Sequence, residues 1–168
     1  RDKWNKITLE VNVDKDTFSL WQNGETAVTN KAFINNFNAK NLTKASYYSA
    51  SADTKAYIDN LDLYNGAAKN VKQKTTLTKD DILFDETFNG TITNWTVDPT
   101  IKQVQKPGGE GAEDKALVFE PGIPSKFLSR SFGEISGTIT VEAEIMVEKK
   151  TKQIKIPDIY VNTNGQGV

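Results

Sequence analysis

"GTITVEAEIMVE", residues 137–148, alternates with a period of two along nearly its whole length. Ile139, Val141, Ala143, Ile145 and Val147 fall on one side, while Thr140, Glu142, Glu144 and Glu148 fall on the other. That period belongs to a strand with one face on a core. Working outward, "KITLEVNV" (6–13) repeats it, with Ile7, Leu9, Val11 and Val13 opposed to Lys6, Thr8, Glu10 and Asn12. "DKD" (14–16) reads as a turn, "TFSLWQ" (17–22) as a returning strand, and "NG" (23–24) as a hairpin signal leading into "ETAVT". Further strands are predicted at "KASYYSAS" (44–51), "AYIDNLDLY" (56–64), "DILFDETF" (81–88), "KALVFE" (115–120) and "FLSRSF" (127–132). The strand "KQIKIPDIYV" (152–161) contains Pro157, which suits an edge or a bulge. Helical periodicity is nearly absent. Many short strands separated by turn signals predict an all-β, antiparallel β-sandwich.

The 168 residues are 37% hydrophobic and 26% charged, the balance of a folded chain. A net charge of −1 offers no support for a nucleic-acid or anionic-membrane partner. No apolar run approaches the roughly 20 residues that cross a bilayer as a helix. The chain has no cysteine and no histidine. That excludes disulfides, thiolate zinc sites, cysteine nucleophiles and any triad with an imidazole base. Starting at Arg1 without an initiator methionine or leader, it is expected to be an excerpt of a larger precursor.

Residues 67–80, "AAKNVKQKTTLTKD", carry four lysines against one acid and break the alternation. They read as a solvated connector between two units. In each unit one acid is out of place. Simple alternation puts Asp59 in line with Tyr57, Leu61 and Leu63, and puts Glu86 between Phe84 and Phe88. A buried carboxylate is costly unless it is paired, hydrogen-bonded or bound to a metal.

"WNKITLEVN", "FSLWQNGE" and the closing "YIDNLDLY" resemble the C-terminal half of a concanavalin-like (laminin-G-like) jelly roll. "FDETFNG…NWTV", "ALVFE" and "GTITVEAEI" resemble the N-terminal half of the same kind of module. Such modules are common in secreted bacterial polysaccharide-degrading enzymes. The closing half comes first here. Two readings follow: a piece of a tandem array, or two halves paired in permuted order. Because a half-sandwich exposes its inner face and its strand edges, pairing is favoured. The organisation expected is thus 1–66, a C-terminal half; 67–81, a lysine-rich linker; and 82–168, an N-terminal half, with 3–64 and 82–161 sharing one core.

Three kinds of site are expected. The resemblance implies a structural Ca²⁺ near the terminal strands, with Asp59, Asp85 and Glu86 as the matching acids. Oxygen ligands alone suit that ion, while a hydrogen-bonded or lysine-paired Asp59 is the alternative. A sugar platform would use aromatic faces for stacking and amides for hydroxyls; Trp21, Tyr47, Tyr48 and Asn23 are its candidates. A glycosidase would need a carboxyl pair such as Glu142 and Glu144, but Met146 interrupts the acid series. The function predicted is a non-catalytic carbohydrate-binding or spacer module, extracellular or at the cell surface. Its partners would be polysaccharide and neighbouring modules or other copies of the chain. A self-associating structural element is the main alternative.

Overall fold

In a computed structural model, residues 2–33, 41–49, 55–68, 82–122, 126–148, 158–163 and 166–167 are described. The side chains of residues 48, 49, 158–163 and 166–167 are not among them. Every regular element among the described residues is a strand: β1 Trp4–Asn12, β2 Thr17–Gln22, β3 Glu25–Ala32, β4 Leu42–Ser49, β5 Ala56–Asn65, β6 Ile82–Glu86 and β7 Thr96–Val97. Then come β8 Lys102–Gln105, β9 Lys115–Phe119, β10 Lys126–Ile135, β11 Thr138–Val147, β12 Asp158–Thr163 and β13 Gln166–Gly167. All pairings are antiparallel.

An eight-stranded sheet runs β3-β2-β1-β11-β5-β9-β8, with β6 also on β5. A five-stranded sheet runs β13-β12-β4-β10-β7. The chain is an all-β sandwich, with its core between the two sheets. Leu9, Val11, Ile58, Leu61, Leu63, Val141 and Ile145 pack from the large sheet against Ala45, Tyr47 and Leu128 from the small one. The segments on either side of the lysine-rich stretch interleave: β11 lies between β1 and β5, and β4 between β12 and β10. Of that stretch, residues 69–81 lie outside the described residues, as does Pro157.

The β2–β3 hairpin turns on Asn23 and Gly24, both at positive φ (52° and 80°), as a primed two-residue turn requires. Asn23 also ties the turn to β1. Its Oδ1 accepts from the Lys6 backbone N–H at 2.9 Å, and its Nδ2 donates to Asn5 Oδ1 at 3.0 Å.

The face of Asp59 differs from simple alternation, and the cause is local. Glu142 pairs with Asp62, but Glu144 pairs with Asp59, so two residues of β5, Asn60 and Leu61, oppose the single residue Ala143. This is a β-bulge, with Asn60 in the left-handed region at φ 46°. Before it, Ile58 faces the core and Asp59 faces outward; after it, Leu61 and Leu63 face the core and Asp62 faces outward. The bulge also falls where β5 changes partner, from β9 along Ala56–Ile58 to β6 along Leu61–Tyr64.

Glu86 does remain on the core side, opposite Leu61. Its Oε1 accepts from the Phe88 N–H at 3.0 Å and its Oε2 from Trp95 Nε1 at 3.1 Å. Trp95 in turn meets Phe84 edge-on at 5.2 Å, and the Arg130 guanidinium lies 4.5 Å over the Phe84 ring. The acid thus anchors an aromatic cluster at the end of the sandwich.

Asn60→Val should lower stability by about 1–2 kcal/mol, because a β-branched side chain resists the left-handed conformation. Asn60→Gly should cost less, since glycine keeps that conformation. Urea unfolding midpoints of the two variants check this ordering.

Candidate functional site

Cross-strand register lays one row of side chains across the outer face of the large sheet. From β2 to β6 it reads Trp21, Thr8, Glu142, Asp62, Asp85, each directly opposite the next. Two pieces of chain cross this face on either side of the row. On one side, residues 66–68 leave β5 and pass over β11 to β1. Thr140 Oγ1 donates to the Gly66 carbonyl at 2.8 Å, and the Ala68 N–H donates to Glu10 Oε2 at 2.7 Å. On the other side lies the β8–β9 loop, whose Pro107 carbonyl accepts from Trp4 Nε1 at 2.9 Å. These crossings bound the row as a strip, a groove whose middle is nearly closed: Thr8 is 1% and Glu142 9% exposed.

Its polar groups are held in place. Thr8 Oγ1 donates to Glu142 Oε1 at 3.0 Å, and Lys6 Nζ lies 2.6 Å from Glu142 Oε2. Asp62 shares a side-chain hydrogen bond with Asp85, and its carboxyl is pushed up to about 7. Burial is the largest cause, followed by the charge and hydrogen bond of Asp85 and then the charge of Glu142; Lys6 opposes them. Near neutral pH Asp62 is therefore still partly protonated. A cavity of about 90 Å³ lies against Asp62, Leu63, Tyr64, Ile82 and Asp85. At the opposite end, a shallow depression of about 400 Å³ is lined by Gln22, Asn23, Glu25, Thr26 and Ala27, and Thr26 is the register partner of Trp21.

Beyond the groove wall, under the β8–β9 loop, sits a second cluster. Trp4, Tyr57, Val104, Val118 and Met146 pack together there on the outer face. Beside them Lys106 Nζ lies 2.7 Å from Asp59 Oδ2, 2.8 Å from Glu144 Oε2 and 4.9 Å over the Trp4 ring.

The candidates read from sequence are thus dispersed. Trp21 lies in the groove, and Asp85 lies there opposite Asp62. Tyr47, expected on a sugar platform, is 0% exposed between the sheets, because the strand's alternation turns it inward. Asn23 stands beside the groove, but both ends of its amide are engaged in the turn. The side chain of Tyr48 lies outside the described residues; its backbone in β4 pairs with Phe127, which is 39% exposed. Asp59, Asp85 and Glu86 are not brought together: Asp59 faces Lys106, and Glu86 lies on the opposite face of the sheet. Among the described residues no group of three or more acids is assembled to hold a metal ion, so these three do not fit the expected Ca²⁺.

Thr8, Glu142 and Asp62 acquire their meaning from register. Alternation alone puts each on a polar side, but only the pairing of residues more than a hundred positions apart lines up Thr8 with Glu142. No family model matches the chain, and no curated protein or solved structure matches it significantly.

Two measurements follow from these environments. Asp62 binds its proton more tightly folded (about 7) than at its ordinary value of 3.8, so folding loses stability as pH rises from about 4 to 7 and regains none above. Asp62→Asn should flatten that fall, giving a smaller drop in Tm between pH 5 and pH 8. The Tyr47 hydroxyl is buried without a hydrogen-bond partner. Tyr47→Phe should therefore leave stability unchanged or raise it by up to about 1 kcal/mol in urea unfolding.

Proposed function

We propose that this protein is a non-catalytic carbohydrate-binding module of the jelly-roll kind its motifs resemble, acting outside the cell or at a cell surface within a polysaccharide-degrading protein. The row from Trp21 to Asp85 carries this reading. It combines an aromatic face at one end with carboxyl groups along the strip and at its other end, a mixture suited to a polyhydroxylated chain. Aromatic rings stack on the apolar faces of sugars, and charged acceptors bond hydroxyls more strongly than neutral ones. Four inter-strand steps of about 4.8 Å make the row about 19 Å long, which suits an extended oligomer better than a single small molecule.

Binding is favoured over hydrolysis by the way the carboxyl groups are engaged. Glu142 and Glu144 are tied to Lys6 and Lys106. Asp62 and Asp85 hydrogen-bond each other, whereas a hydrolytic pair must stand about 5 Å or more apart to flank a glycosidic bond.

Affinity electrophoresis through gels cast with β-glucans or pectins tests the proposal. Trp21→Ala should weaken retention about tenfold, the equivalent of about 1.4 kcal/mol, with the fold intact by circular dichroism. Unchanged retention would remove Trp21 from the site, and release of reducing sugar by the unaltered protein would replace binding with catalysis.

A further inference from the structure

Lys106, Asp59 and Glu144 lie outside the row, yet they form a close-packed charge cluster on the outer face. The Asp59 carboxyl is 1% exposed, and the Lys106 and Glu144 side chains are 13% and 33% exposed. Lys106 Nζ touches both carboxyls, at 2.7 Å and 2.8 Å, and Asn60 Nδ2 donates to the same Glu144 Oε2 at 2.9 Å. Neither Asp59 oxygen receives a side-chain hydrogen bond in good alignment, so the lysine meets Asp59 as a close contact rather than as a satisfied bond.

The surroundings are apolar and preorganised. Trp4, Tyr57 and Met146 lie on the same outer face, and the Trp4 ring lies beneath the ammonium group. The loop carrying Lys106 is braced at its base: the Lys106 N–H donates to the Asp114 carbonyl, and the Gly109 N–H donates to the Lys106 carbonyl. A Cβ on Gly109 would come within 2.5 Å of Asp114 Oδ2 and 3.1 Å of Lys106 Cβ, so a larger residue there would push on the Asp114 side chain and crowd Lys106.

From this geometry we infer that Lys106 and Asp59 condense into an amide, an intramolecular cross-link between the β8–β9 loop and β5, with Glu144 as the proton-transfer group. One proton passes from the Lys106 ammonium to the Asp59 carboxylate, leaving an amine beside a carboxylic acid. The Nζ lone pair attacks Cγ, the C–N bond forms, and the carbonyl π pair moves onto oxygen. Glu144 takes a second proton from Nζ and delivers it to the Asp59 hydroxyl. The C–O bond breaks, water leaves and the carbonyl re-forms. An ammonium and a carboxylate become one amide and one water, and Glu144 ends as it began.

Burial acts toward the condensation on both partners. Desolvation is the largest influence on Asp59 and raises it above its ordinary value, toward the acid form that carries the leaving hydroxyl; Lys106 and the Asn60 backbone N–H offset it in part. On Lys106, burial acts downward but is outweighed by Asp59 and Glu144, leaving the ammonium above its ordinary value. The condensation removes both charges from a site where desolvation works against each. Exclusion of water also protects the product from hydrolysis.

Intact mass spectrometry of the purified full chain tests this separately from sugar binding. The unaltered protein should be lighter than its sequence by one water. Protease digestion should yield one branched peptide joining the segments that contain Asp59 and Lys106. Glu144→Gln, which keeps the size and polarity of the side chain, should restore the full sequence mass, and so should Lys106→Arg, which keeps the charge. An unaltered protein at full sequence mass after prolonged incubation at neutral pH would overturn the inference. So would a missing water mapped to another residue pair, or one that persists in Lys106→Arg.

Discussion

The bulge at Asn60 is the constraint on which the rest of the molecule turns. A strand of strict alternation through 56–65 would have to bury Asp59 in the core or expose Leu61 and Leu63. One extra residue in the left-handed conformation removes the conflict. Ile58, Leu61 and Leu63 all reach the core, and Asp59 and Asp62 both reach the outer face. The same irregularity lets one edge of β5 serve two neighbours, β9 before it and β6 after it. Asparagine suits the position for a further reason: its side chain reaches Glu144 on the adjacent strand.

The outer face of the large sheet is consequently more than a solvated surface. Thr140 is 0% exposed and Glu142 is 9% exposed, although neither faces the core. Chain crossing at 66–68 and at the β8–β9 loop shelters these groups, and each sheltered charge has a compensating neighbour. Glu142 has Thr8 and Lys6, Asp59 has Lys106, and Asp62, with its carboxyl pushed up, has the hydrogen bond to Asp85. The sandwich thus has one dry apolar interior and one polar layer whose members are held by electrostatics and hydrogen bonds.

Much of the architecture was legible from residues alone. Period-two alternation located β1, β2, β5 and β11, and "NG" at 23–24 marked a turn that the backbone makes with positive φ at both positions. The anomaly at Asp59 was legible as well, but its resolution was not. A bulge leaves no period of its own, and "DN" within a strand does not announce which residue is extra. Short strands such as β7 and β8 escaped notice because two to four residues cannot display a period. The groove was illegible for another reason: its members come from β2, β1, β11, β5 and β6, and cross-strand register joins residues that are remote in sequence. Tyr47 shows the converse difficulty, since adjacent tyrosines guarantee one of each facing without saying which is which.

The position of β11 sets a temporal order on the chain. Residues 138–146 fill the slot between β1 and β5, so the large sheet stays split until that segment has been made. Emerging from a ribosome, β1 and β5 would each present an unpaired edge, and neither could recruit the other directly. Closing such distant pairings is entropically slow, and open edges invite contact with other chains in the interval. The strand that reads most plainly in the sequence is therefore also the wedge that completes the sheet, joining two groups of strands that both precede it in the chain.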